Sequence, residues 1–99
     1  MGNQEAKIYQ APLGKLRTAH LAVVAEIEAE PDPEVAFRRA TALREDTDVM
    51  VSEAATLRAR MAFRVWRSEP MSLSQLAARL GTSKARADQL IRIAKAYKE

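Results

Sequence analysis

Ser72 to Ala96 read SLSQLAARLGTSKARADQLIRIAKA, and this stretch holds two helix starts with one helix stop between them. Ser72 and Gln75 have the S-x-x-Q spacing of a capping box, in which the side chain of each accepts from the backbone N–H of the other at the start of a helix. Leu73, Leu76, Ala77 and Leu80 follow at helical spacing and predict one buried face. Gly81 then falls where a helix ends most easily in a left-handed residue, because glycine adopts that geometry without steric cost. Ser83 can cap a second helix running from Lys84 to about Tyr97, with Leu90 and Ile93 expected on its inner side. The product is helix, three-residue turn, helix, and Ala77 supplies a small residue where the two must cross closely.

Upstream of that stretch, Glu69-Pro70 ends a much longer helical segment, since proline cannot continue the hydrogen-bond ladder and disfavours helical geometry before it. The start of the segment is equally marked, with Asp32 as cap, Pro33 at the first helical position and Glu34 in the first turn. Between these limits Ala36, Ala40, Leu43, Thr47, Met50, Ala54, Leu57 and Met61 alternate by four and three, which is a heptad seam. One helix from Pro33 to Arg67 would extend about 52 Å at ~1.5 Å per residue, more than so short a chain needs internally. The seam is therefore expected to meet a second copy of the chain, with Val35, Val49 and Phe63 widening it. A break at Asp46 to Asp48, where two Asp and a Thr interrupt good helix formers, would instead leave an intramolecular hairpin.

Farther upstream, Leu13, Leu16, His20, Val23 and Ile27 repeat at threes and fours, joined by Leu21 and Val24, and predict a first helix that ends before Pro31. His20 lies on that stripe with no partner ligand nearby, so it is expected to be a partly buried structural histidine. Residues 1–11, ending at Pro12, show no sustained period and are expected to form a flexible leader. The architecture expected is all-α: an N-terminal helix plus a long heptad-patterned helix, followed by a C-terminal helix-turn-helix. Residues 12–67 would form a helical dimerisation region and residues 53–99 the helix-turn-helix region, the two sharing the end of the long helix.

Composition narrows the chemistry. The 99 residues include no Cys, one His and three Gly, so thiol nucleophiles, thiolate metal sites and glycine-rich phosphate loops lack their raw materials. No enzymatic activity, metal or cofactor is expected. No apolar run approaches the length of a membrane span, so no membrane partner is expected, and the absence of cysteine suits a reducing, cytoplasmic compartment. Charge is unevenly distributed. Residues 1–50 carry six Lys/Arg against nine Asp/Glu, whereas residues 51–99 carry ten against four. A polyanion would be drawn to the C-terminal half.

The polar residues of the second helix of the motif, Lys84, Arg86, Asp88, Gln89, Arg92 and Lys95, cannot all be buried beneath so small a core. Most must face outward, where Lys and Arg can bind phosphates or guanine edges, Gln can pair with adenine, and the helix start at Ser83 can receive a phosphate on free amides. Arg58, Arg60, Arg64 and Arg67 on the preceding helix could add backbone contacts or pair with Glu53 and Glu69. Trp66 and Phe63 are expected to pack the junction between the long helix and the motif.

The same residues carry a resemblance. Ser72 to Ala96 resembles the helix-turn-helix of sigma-70 region 4, with its pattern T-L-E-E-V-G-x-x-L-G-V-T-R-E-R-V-R-Q-I, and Leu57 to Met71, LRARMAFRVWRSEPM, resembles the helix preceding that motif. The resemblance implies that the start of the second helix enters the major groove, with base reading falling on Lys84, Arg86 and Gln89 and the cap on Ser83. Ala85 and Asp88 stand where the family usually has Glu and Arg, so the family's own promoter target is not implied. Nothing in the chain resembles the promoter-melting region of a sigma factor, which implies a small stand-alone regulator.

Two functions are thus expected of different classes. In the first, a homodimer joined through Ala36, Ala40, Leu43, Met50, Ala54, Leu57 and Met61 sets two heads on double-stranded DNA, as a transcriptional regulator or a plasmid or phage maintenance factor associated with the nucleoid. DNA contacts would come from Ser83, Lys84, Arg86, Asp88, Gln89, Arg92 and Lys95. In the second, the chain is a helical adaptor for a protein partner, with RNA polymerase the partner suggested by the resemblance.

Overall fold

The computed structural model describes the backbone of residues 2–97 and the side-chain surroundings of residues 10–97. Among the described residues there are four helices and no strands: α1 Gly2–Glu28, α2 Pro33–Ser68, α3 Leu73–Leu80 and α4 Lys84–Ala96. The chain divides into two compact units, Met1–Asp46 and Thr47–Glu99.

In the first unit, α1 begins at Gly2 and contains Pro12, so the flexible leader expected over residues 1–11 is corrected to helix over 2–11; Met1 lies outside the described residues. Glu5, Ala6, Lys7, Gln10 and Ala11 favour helix strongly enough to carry the ladder through the one bond that Pro12 removes. His20 is exposed, which corrects its expected place in a core. The connection to α2 is held by capping. Asp32 Oδ1 accepts from the amides of Glu34 at 2.9 Å and Val35 at 3.4 Å, and Arg39 pairs with Glu30 at 3.0 Å. Pro33 takes the first helical position, where its missing N–H has no intrahelical partner to lose.

The helix α2 runs through Asp46 to Asp48 without the break weighed above, although the division between the units falls at this place. Propensity there is weak but not prohibitive: Asp and Thr each cost less than about 0.7 kcal/mol relative to Ala, far from the cost of proline.

The second unit holds every buried residue of the described chain. Ala59 and Ala62 of α2 pack on Leu90 and Ala94 of α4, with Phe63 and Leu80 against them. Leu76, Ala77, Ala87 and Ile91 form the α3–α4 contact, bordered by Phe63, Val65, Trp66, Met71 and Leu73. Ala77 and Ala87 let those two helices approach closely, as small residues at a crossing do. Phe63 therefore faces this core and does not widen the heptad seam. Trp66 sits edge-on to Phe63 at 6.0 Å and donates its ring N–H to the carbonyl of Met71 at 3.1 Å. That bond satisfies the polar end of a large apolar side chain and ties the link after α2 to the core.

Candidate nucleic-acid interface

The start of α3 has both halves of its capping box: Ser72 Oγ accepts from the Gln75 amide at 3.1 Å and Gln75 Oε1 accepts from the Ser72 amide at 2.8 Å. At its end Gly81 is left-handed, with φ 68° and ψ 37°. The amides of Gly81 and Thr82 return to the carbonyls of Ala78 and Ala77 at 3.3 and 3.0 Å, the paired bonds of a Schellman ending. Ser83 then caps α4 by accepting from the Arg86 amide at 3.0 Å. Local chemistry thus stops one helix and starts the next within three residues, which fixes where α4 begins and which way it faces.

Facing follows from burial. Ala87, Leu90, Ile91 and Ala94 are the buried residues of α4. At about 100° per residue, the opposite side is centred on Ala85, Gln89, Arg92 and Ala96. Gln89, Arg92, Lys84 and Lys95 are exposed, Arg86 and Asp88 are half-buried on the flanks, and the cap Ser83 is exposed. All seven residues singled out from the sequence therefore belong to one helix and its cap, but they do not form one uniform surface. Arg86 donates to Gln89 Oε1 at 2.6 Å, which holds two side chains of the first turns together. Asp88 pairs with Arg92 at 3.0 Å, so its carboxylate is partly neutralised by the next turn. Lys95 lies over the Trp66 ring at 5.3 Å, a cation–π placement that holds it toward α2.

Ile93 is a correction. It is 39% exposed, and Ile91 takes the inner place expected of it. Once Ala87 and Ala94 turn inward, Ile91 lies between them on the same side while Ile93 falls toward the flank. Ile93 and Ala85 are apolar additions to the accessible face that a search for polar residues could not find. The chain-spacing signal for Ile91 was present, since Ala87, Ile91 and Ala94 follow an i, i+4, i+7 pattern.

Two of the arginines of α2 rest on aromatic rings. Arg60 lies 4.7 Å over the Tyr97 ring and Arg67 5.6 Å over Phe63, while Glu69 pairs with Arg79. Between α2 and α4, Arg60, Arg64, Arg67 and Lys95 border an open groove with Met61, Phe63 and Tyr97, and no carboxylate lines it among the described residues.

The seam residues of α2 lie on another side. Met50, Leu57 and Met61 are 43%, 52% and 39% exposed, and Ala40 and Ala54 are also exposed, whereas Ala36, Leu43 and Thr47 are half-buried. Leu57 points nearly opposite the Ala59, Ala62 and Trp66 side, at ~100° per residue, so the core of the second unit leaves it exposed, whereas Met61 also borders the groove toward α4.

Among the described residues, no helix is long and apolar enough to cross a membrane, and no group of three or more His, Cys, Asp or Glu is gathered as metal ligands would be. No family model, curated protein or solved structure matches the chain significantly.

Proposed function

We propose that this chain is a sequence-specific DNA-binding protein that works as a homodimeric regulator, with α3, the turn at Gly81–Ser83 and α4 acting as a helix-turn-helix. The carrying observation is α4 itself. It is capped by Ser83, buried on one side by Ala87, Leu90, Ile91 and Ala94, and offers Gln89 and Arg92 at the centre of its free side. A helix anchored in this way can lay its first turns in a major groove.

Arg86 and Gln89 lie in those turns and read base edges, while Lys84 and the amides at the start of α4 meet phosphate. Arg92 and Lys95 lie farther along and serve the DNA backbone. The resemblance to sigma-70 region 4 supports the same docking, with Ala85 and Asp88 setting a different target. The protein would act in the cytoplasm at the nucleoid, without enzymatic activity, metal or cofactor. The bare Leu57 and Met61 also suit a helical protein partner, RNA polymerase included, and this is the adaptor alternative.

Selection of bound duplexes from a random pool, followed by titration of Arg86→Ala and Gln89→Ala, separates the two. A base reader yields one enriched motif, and each variant loses about 1 to 3 kcal/mol on it and much less on scrambled duplex. Equal losses on both duplexes would leave a non-specific basic face, and no retention of DNA at all would favour the adaptor.

A further inference from the structure

We infer that Arg86 and Gln89 act on DNA as one unit that selects guanine: Arg86 donates to guanine O6 and N7, while Gln89 holds the guanidinium in place and does not read adenine. This rests on the reading of α4 as a base-reading helix and adds which base it takes.

The bond between the two side chains is the first support. Arg86 Nη1 donates to Gln89 Oε1 at 2.6 Å. A glutamine that pairs with adenine needs that oxygen to accept from the adenine amino group while its own NH2 donates to N7. Here the oxygen already carries an arginine N–H. Its second lone pair is open, but an adenine amino group arriving there would set a donor against a donor, beside a full positive charge. What the pair still offers is donors throughout, namely the Gln89 NH2 and the part of the Arg86 fork that Gln89 does not use. Guanine is the base whose major-groove edge sets two acceptors side by side, and arginine meets both at once.

Placement is the second support. Ser83 Oγ accepts from the Arg86 amide at 3.0 Å, which fixes the turn from which the Arg86 side chain leaves, and Arg86 is itself half-buried. An arginine held before DNA arrives loses less freedom on binding. Arg86 and Gln89 are three residues apart, ~4.5 Å along the helix against ~3.4 Å per base, so the pair stays within about one base step. Within Lys84–Ala96 the one carboxylate is Asp88, and it is paired with Arg92 at 3.0 Å. Arg86 is thus steered by a neutral partner and keeps its charge for the base. Ala85, exposed before it, brings no polar side chain to compete.

The test starts from duplexes selected out of a random-sequence pool by the full chain. A guanine should stand at the position that Arg86→Ala relaxes. Replacing it with 7-deazaguanine, which lacks the N7 acceptor, should weaken the unmodified chain roughly tenfold and Arg86→Ala hardly at all; this arm alters only the DNA. Gln89→Glu keeps an acceptor for Arg86 and removes the NH2. It should bind every duplex more weakly through its added negative charge, yet select the same guanine. Adding Gln89→Ala to Arg86→Ala should cost little beyond Arg86→Ala alone, because residues that act as a unit are not additive. An adenine that Gln89→Ala relaxes and Gln89→Glu turns to cytosine would overturn the inference and leave α4 a base reader, as would additive losses on the selected duplex. A pool with no enriched motif would overturn the reading of α4 itself.

Discussion

Two glycines receive the same substitution with opposite expected signs. Gly81 ends α3 at φ 68°, and a Cβ built there meets nothing within 4 Å, so Gly81→Ala creates no collision and its cost is confined to the backbone. Holding an L-residue in the left-handed region costs about 1 to 2 kcal/mol. Restricting the unfolded chain returns about 0.4 to 1 kcal/mol, which leaves a net loss near 1 kcal/mol. Gly14 lies within α1, its φ is not positive, and a Cβ there also meets nothing within 4 Å. Helix propensity therefore favours Gly14→Ala by about 0.5 to 1 kcal/mol. With a urea slope of about 1 kcal/mol per molar for a unit this small, each midpoint moves by about 1 M, downward for Gly81→Ala and upward for Gly14→Ala. The lone Trp66 belongs to the second unit and reports Gly81 by fluorescence, while far-ultraviolet circular dichroism reports Gly14. Gly81→Asn should lose less than Gly81→Ala, because asparagine tolerates the left-handed region better. A Gly81→Ala chain as stable as the unmodified one would refute the assignment of the turn geometry.

Among the described residues Leu76 is the one large side chain that is wholly buried, so Leu76→Ala should destabilise the second unit by about 2 to 5 kcal/mol, read from the same Trp66 transition; a loss under 1 kcal/mol would mean that α3 is not packed as described. Asp88→Ala frees Arg92 from its ion pair and removes a negative charge beside the proposed DNA face. Binding should tighten on specific and scrambled duplexes alike, and the salt dependence should steepen by about one unit. A changed base preference would instead mean that Asp88 accepts from a cytosine amino group.

Helix limits were legible wherever a side chain acts on its own backbone. Asp32, Ser72 and Ser83 cap the starts of α2, α3 and α4, and Gly81 closes α3, all within a few residues of the atoms they satisfy. Pro12 misled because proline weakens a helix locally, and whether the helix survives depends on the propensity of its neighbours. The seven candidate DNA contacts were legible as a polar set on one helix. Their pairing was not, because the choice of Arg92 for Asp88 and of Trp66 for Lys95 depends on rotamers and on distant neighbours.

Spacing along the chain decides which residues share a helix face, since that periodicity is a property of the backbone, and it determined the four-three seam of α2 and the apolar face of α3. It does not decide what each face meets. Ala59 and Ala62 are unremarkable in sequence, yet they are the contact of α2 with α4, because only small residues let two helices come that close. Met61 is more apolar and remains 39% exposed at the border of the groove between α2 and α4, since the closest approach of the two helices was taken by the alanines. Ile91 displaces Ile93 from the interior for the same reason: burial is awarded by the shape of the neighbouring helix, and a hydrophobic side chain carries no record of which neighbour that is.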